Sequence, residues 1–164
     1  MGVDRRLLES LAAWRDSKAV ILGVGNILKG DDAAGPLVCE RLSGGRLSAV
    51  VIDAGTAPEN YVRPILNAEP DVLLIVDAVD FGGRTGEIRI FEPAEIRRFA
   101  FSTHALSLHL FIDRLQQERP LTAHLIGIQA GERGLGDTVS SAVHEAIETL
   151  AVTLAVLFPL PAQS

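Results

Sequence analysis

The sequence VLLIVDAV, residues 72–79, has seven apolar side chains, four of them β-branched, and a single aspartate near its end. Its apolar residues do not alternate with polar ones, which predicts a strand covered on both faces. Similar runs occupy residues 18–24 (KAVILGV), 49–54 (AVVIDA) and 123–129 (AHLIGIQ). Residues 87–91 (EIRIF) alternate instead, and this pattern predicts an edge strand.

Helical patterns separate these runs. Apolar residues at helical spacing predict a helix over residues 5–16, and a second helix begins near Asp31 and Asp32. Further helices are predicted over residues 58–68, 93–99, 106–118 and 139–158. Strands that alternate with helices are typical of a mostly parallel sheet covered on both sides. We therefore predict one three-layer α/β/α domain over residues 1–164, with a twisted, mostly parallel five-stranded sheet, one edge or antiparallel strand, and an additional helix within residues 1–17.

Composition excludes several classes of protein. The chain has 15 Lys and Arg against 21 Asp and Glu, a net charge of -6, so it offers no positive field for nucleic acid or an anionic membrane. The most apolar run, residues 150–158, is too short for a membrane span, which needs roughly 20 residues. A single cysteine, Cys39, allows no internal disulfide and suits a reducing compartment. We expect a cytoplasmic protein with no nucleic-acid or membrane partner.

Acidic side chains follow the predicted strands at the points where these strands end. Ligands bind such sheets at the carboxyl ends of the strands, so Asp32, Asp53 and Asp77 are expected to converge at one edge. The segment that contains His104 leads into a helix. Two carboxylates and one imidazole are a mixed oxygen and nitrogen set suited to a divalent cation, with positions left for water or substrate. A cation would also relieve the repulsion between Asp32 and Asp77.

Each of these residues also has a purely structural explanation. Asp31 or Asp32 would serve as the N-cap of a helix, because a carboxylate there accepts hydrogen bonds from free amides. Asp77 would be a hydrogen-bonded loop anchor, and His104 a histidine at a helix start. The sequence pattern leaves both explanations open.

Nucleotide binding is the other chemistry that the glycines suggest. The dinucleotide-binding pattern fails because Leu28 stands where the third glycine after Gly23 and Gly25 belongs. The phosphate-binding loop also fails, since Asp31 and Asp32 replace its Lys and Ser or Thr. A signalling receiver domain, which has a similar acidic edge, needs a lysine after its last strand, and both lysines of this chain come early.

Several motifs together resemble the maturation endopeptidases of nickel-iron hydrogenases. They are GVGNILKGDDAAGP, DAGTAPEN, LLIVDAVDFGGRTGEIRI, STH and LIGIQ, in this order across residues 19–150. The TAPEN and TGEIRIFEP stretches look most like the branch that processes the large subunit of the formate-hydrogenlyase hydrogenase. The resemblance implies a soluble, monomeric α/β protease that removes the C-terminal extension of a hydrogenase large-subunit precursor after nickel insertion.

The resemblance also implies roles for individual residues. Asp32, Asp77 and His104 match the family's metal ligands, and Asp53, together with Asp32 and Asp77, matches its catalytic acids. Nickel would be carried by the precursor, and the isolated protein would be metal-free or hold a surrogate divalent cation. A non-catalytic nickel-binding accessory module of hydrogenase assembly is the alternative, since it would use the same residues. The chain departs from the family at Ala54, where the family has the first glycine of D-G-G-T.

Overall fold

The computed structural model describes residues 2–98 and 105–162. Its strands are β1 (Ala19–Val24), β2 (Val50–Gly55), β3 (Val72–Val79), β4 (Ile88–Phe91) and β5 (Thr122–Gln129). Its α-helices are α1 (Arg5–Leu11), α2 (Ala34–Ser43), α3 (Val62–Asn67), α4 (Pro93–Arg98), α5 (Ala105–Glu118) and α6 (Ser141–Leu157). None of these helices is long and apolar enough to cross a membrane.

The strands form one sheet in the order β2-β1-β3-β5-β4. Neighbouring strands run parallel except for β4, which runs antiparallel to β5. The predicted architecture, a mostly parallel five-stranded sheet with one antiparallel edge strand and helices on both sides, is confirmed. Since β2, β1 and β3 are direct neighbours, their carboxyl ends lie side by side, as the placement of the acids requires.

The two faces of the sheet carry separate apolar layers. Every residue of β3 is buried, which explains why all of its residues except Asp77 are apolar. Leu74 and Val76 pack in the layer that contains α2 and α6, whereas Leu73 and Ile75 pack in the layer that contains α3 and α5. Side chains alternate along a strand, so Asp77 belongs to the face covered by α3 and α5.

The N-terminal helix is shorter than the predicted span of residues 5–16. Helix α1 ends at Leu11 and continues as a 3₁₀ turn over Ala12–Trp14. Asp4 caps its start by accepting a hydrogen bond from the Leu7 amide at 3.1 Å. Leu7 and Leu11 are 5% and 1% exposed, because they pack in the apolar layer that contains α6.

The helix expected to begin at the acidic pair begins slightly later. A 3₁₀ turn over Gly30–Ala33 contains both acids, and α2 follows at Ala34. No side chain caps α2, so neither acid is an N-cap of that helix. Pro36 stands in the first turn, where its missing amide has no intrahelical partner to lose.

Candidate active site

Asp77 is a fully buried carboxylate at the carboxyl end of β3. It is 0% exposed, and neither of its oxygens has a hydrogen-bond partner among the described residues. Burial raises the pKa of Asp77 well above its usual value, and the nearby charge of Asp32 raises it further. The Ala78 amide, which does not reach hydrogen-bond geometry, and the charge of Arg133 lower it. A structural anchor would be hydrogen-bonded, so the geometry favours a site for a proton or a cation.

Asp32 reaches the same place from the turn after β1. Its side-chain oxygen Oδ2 and its backbone carbonyl both accept from the Asn26 amide, each at 3.1 Å. Gly25, whose φ is 151°, allows this close approach, because a Cβ there would collide with the Asp32 carbonyl oxygen. Gly25 therefore shapes the loop that positions Asp32, whereas Gly23 allows α2 to pack closely on β1, since a Cβ there would collide with the Gly35 carbonyl oxygen.

Asp31 has a different role from its neighbour. Its carboxylate is 0% exposed and accepts from the amides of Gly131 at 2.8 Å, Glu132 at 2.9 Å and Ser140 at 2.7 Å. The Ser140 hydroxyl donates to it as well, at 2.8 Å. We call this group, Asp31 with Gly131, Glu132 and Ser140, the Asp31 clamp. The Asp31 clamp joins the loop after β1 to the loop after β5. The sequence did not reveal it, because two of the three partners of Asp31 are more than 100 residues away in the chain.

Gln129, at the end of β5, orders the loop after β3. Its side-chain oxygen accepts from the amides of Phe81 at 2.9 Å and Gly83 at 3.1 Å. Its amide nitrogen donates to Asp80 Oδ1 at 3.1 Å. This bond, with a second from the Gly82 amide, lowers the pKa of Asp80. The LIGIQ motif thus contributes a side chain that shapes the edge of the site.

Asp53 lies on the other face of the sheet from Asp77. Its neighbour Val51 packs in the layer of α2 and α6, and alternation puts Asp53 on that same side. Burial, and then the charge of Asp53, raise the pKa of the Cys39 thiol on α2 to about 12. Asp53 itself is exposed and accepts from the Gly55 amide at 3.0 Å. The structure brings Asp32 and Asp77 together and leaves Asp53 apart, on the far side of β1.

His104 lies outside the described residues, as do Ser102 and Thr103. Helix α5 begins directly afterwards, and its residues Leu108 and Ile112 pack on the face to which Asp77 belongs. Within residues 2–98 and 105–162, no three His, Cys, Asp or Glu side chains are close enough to hold a metal. The ligand set of Asp32, Asp77 and His104 stays a prediction.

The other three histidines have different surroundings. His124, at the start of β5, is 7% exposed and packs 5.4 Å from the Trp14 ring. His109 Nε2 lies 3.4 Å from Asp113 Oδ2, one turn along α5. His144 is exposed on α6.

Arg133 is a cation that sequence analysis did not single out. It is half-buried in the loop after β5, and its charge lowers the pKa of both Asp77 and Asp80. Nothing in the local sequence marks it, because its neighbours in space come from the end of β3.

The chain is similar to several known proteins. The sequence model described as hydrogenase maturation protease matches residues 38–156. The hydrogenase 3 maturation protease of Escherichia coli K12 is 41% identical over 133 residues, which are 80% of this chain and 85% of that protein. A putative hydrogenase maturation protease of Methanocaldococcus jannaschii is 33% identical over 121 residues, 68% of this chain and 72% of that protein. The crystal structure of a [NiFe] hydrogenase maturation protease from Thermococcus kodakarensis KOD1 superposes with a TM-score of 0.82 at 35% identity, covering 92% of this chain and 97% of that one.

Proposed function

Because the chain belongs to the hydrogenase maturation protease family, we propose that it removes the C-terminal extension of a nickel-iron hydrogenase large-subunit precursor after nickel has been inserted. The peptidase activity follows from the family. The observation that supports nickel as the signal is Asp77, a buried carboxylate beside a second carboxylate, with no hydrogen-bond partner within residues 2–98 and 105–162. Such a pair is incomplete until a positive centre is added.

The positive centre in this proposal belongs to the substrate. Asp32 and Asp77 supply two carboxylate oxygens, and His104 is proposed to supply an imidazole nitrogen. This mixed set suits nickel among the divalent metals, and two oxygens with one nitrogen hold a free ion only moderately. The protein therefore binds nickel that the precursor already holds, and the isolated protein is metal-free or holds a surrogate cation.

The bond-breaking step is peptide hydrolysis. A water molecule adds to the scissile carbonyl carbon, the carbon–nitrogen bond breaks, and the proton passes to the leaving amine. Asp53 is exposed and lies across β1 from the acidic pair, so we propose that any proton it accepts travels through water. Replacing Asp53 with Asn would then slow cleavage while leaving precursor binding intact.

We also propose a cytoplasmic monomer. The sole cysteine, Cys39, is a free and buried thiol whose raised pKa keeps it protonated and unreactive. It therefore needs no oxidising compartment and offers no intermolecular disulfide.

The test is incubation of the purified protein with nickel-loaded precursor, followed by intact-mass measurement of the large subunit. We expect the mass to fall by that of the extension. The Asp77→Asn variant should leave the mass unchanged, and Asp16→Asn, at an exposed acid, should behave as the wild type. Binding of the precursor by the wild type without loss of mass would instead identify the non-catalytic accessory module.

A further inference from the structure

Three large apolar side chains are exposed on the two loops that the Asp31 clamp joins. Ile27 is 67% exposed and Leu28 62% exposed in the loop after β1. Leu135, in the loop after β5, is 75% exposed. A single exposed leucine needs no explanation, but a group of three at the edge of a site marks a contact surface.

Hydrogen bonds hold these side chains in their exposed positions. The Gly136 amide donates to the Leu28 carbonyl at 2.8 Å, which places the backbone of Leu135 beside that of Leu28. The Leu28 amide in turn donates to the side chain of Asn26 at 2.9 Å. Since both ends of the surface are fixed, binding a partner would order little additional backbone.

The apolar surface continues directly into the acidic site. Ile27 follows Asn26, whose amide is bonded to both the carbonyl and the carboxylate of Asp32. A macromolecule that brings a metal ion to Asp32 would therefore lie next to the loop that carries Ile27 and Leu28. Small ions or short peptides would have no use for the distant part of the surface at Leu135.

Charged residues are close in sequence to the three apolar residues. Lys29 and Glu132 are exposed, and Arg133 is half-buried, in the same two loops. An apolar centre with a charged, solvated rim is the usual arrangement of a specific protein–protein interface.

We propose that Ile27, Leu28 and Leu135 form an apolar docking surface for the folded part of the hydrogenase precursor that borders its metal-bearing end. This inference rests on the proposed function and deepens it, because it divides recognition between two contacts. The acidic pair recognises the metal, and the apolar surface recognises the protein that holds the metal. Selectivity for one hydrogenase over another then comes from these three side chains, since any nickel-bearing precursor offers the same metal.

The test compares a double variant, Leu28→Ser with Leu135→Ser, with the wild type on nickel-loaded precursor. Losing two apolar contacts should raise KM by about tenfold or more with kcat nearly unchanged, because the reacting atoms are untouched. Leu160→Ser is the matched control. That residue is 45% exposed and lies next to Pro159, which pairs with Leu47 at the opposite end of the sheet. Leu160→Ser should change KM less than twofold, and Leu28→Met with Leu135→Met should restore the wild-type KM.

The binding of the same variants to immobilised nickel-loaded precursor is then measured. The oligomeric state of each variant, without precursor, is measured by sedimentation. A wild type that binds but does not cleave would reject the proposed protease activity, and the Kd of the double variant would still decide the docking surface. A Kd and KM within twofold of the wild type would overturn the inference. The inference would also be overturned if the wild type is a dimer, the double variant is a monomer and the Kd for precursor is unchanged. That result would assign the surface to a second copy of this chain.

Discussion

Two aspartates of the site are equally buried and yet differ in what surrounds them. Asp31 and Asp77 are both 0% exposed. Asp31 accepts hydrogen bonds from three backbone amides and one hydroxyl, whereas Asp77 accepts none from the part of the chain that the structure describes. Hydrogen bonds to a buried carboxylate stabilise its charge, and their absence makes that charge costly. The first residue therefore stabilises the fold, and the second keeps its charge or proton available for a ligand.

Asp77→Asn should stabilise the metal-free protein increasingly as pH rises. Below about pH 4, Asp77 is protonated in both the folded and the unfolded chain, and it makes no pH-dependent contribution. Above that pH the unfolded chain ionises while the raised pKa keeps folded Asp77 protonated, so folding stability falls. Asn does not titrate, so the variant does not lose folding stability in this way. A rise of one in the pKa of the folded protein corresponds to about 1.4 kcal/mol of folding stability.

The measurement is denaturant unfolding of both proteins from pH 4 to pH 7 with a chelator present. The difference in stability, variant minus wild type, should grow with pH. A difference that is flat or shrinks with pH would show that folded Asp77 ionises as readily as an exposed carboxyl.

Asp31→Asn should have the opposite effect on stability. In Asn an NH2 group replaces one carboxylate oxygen. This group cannot accept hydrogen bonds, so at least one of the donors of the Asp31 clamp loses its partner. We expect a loss of about 2–4 kcal/mol in the free energy of unfolding, since buried bonds to a charged acceptor are strong. Chemical unfolding at pH 7, beside Asp77→Asn as the matched variant, checks this. A loss under about 0.5 kcal/mol, within the range of ordinary surface substitutions, would contradict the structural role.

Strands and helices were predictable from sequence because their signals are local. The apolar sequence of β3, which only Asp77 interrupts, and the alternation of β4 each follow from what the faces of that strand contact. The convergence of Asp32 with Asp77 was also predictable, since it needs only adjacent parallel strands. The face of Asp53 was not, because β2 has the apolar sequence of a strand covered on both faces, whereas it is an edge strand whose residues are mostly exposed or half-buried. The Asp31 clamp and Gln129 were missed because their partners belong to other loops.

At the scale of one helix, Leu11→Ala should weaken the fold without affecting cleavage. Leu11 is 1% exposed, and α1 packs against α6 on the side of the sheet away from Asp77. Removing this side chain should cost about 2–4 kcal/mol of unfolding free energy. Leu8→Ala, at a half-buried position of the same helix, should cost less.

Thermal unfolding of both variants and a cleavage assay below their melting temperatures check this. Both should retain the wild-type kcat and KM for the precursor while they remain folded. A kcat reduced tenfold in folded Leu11→Ala protein would show that α1 contributes to the site.

At the scale of the whole molecule, the net charge of -6 and the acidic pair favour a substrate that supplies a positive centre. We expect protein treated with a chelator, and then freed of it, to cleave nickel-loaded precursor at the untreated rate. Nickel-free precursor with the same C-terminal sequence should be cleaved at least about tenfold more slowly, because it offers Asp32 and Asp77 no positive centre to bind. Paired digestions followed by mass spectrometry measure both rates.

Either of two results would contradict nickel-gated recognition. Equal cleavage of the two precursors would show that the substrate's metal is not read. Loss of activity after chelation, restored by added metal, would instead identify a resident catalytic ion.

The Asp31 clamp also has a consequence for the order of events during synthesis. Asp31 and Ser140 are 109 residues apart in the chain, so the rim of the site closes only after Ser140 has left the ribosome. A nascent chain therefore exposes GDDAAG long before it possesses a formed rim. The rim of the site therefore forms late in translation, and a nascent chain that lacks Ser140 has no assembled rim with which to bind a hydrogenase precursor.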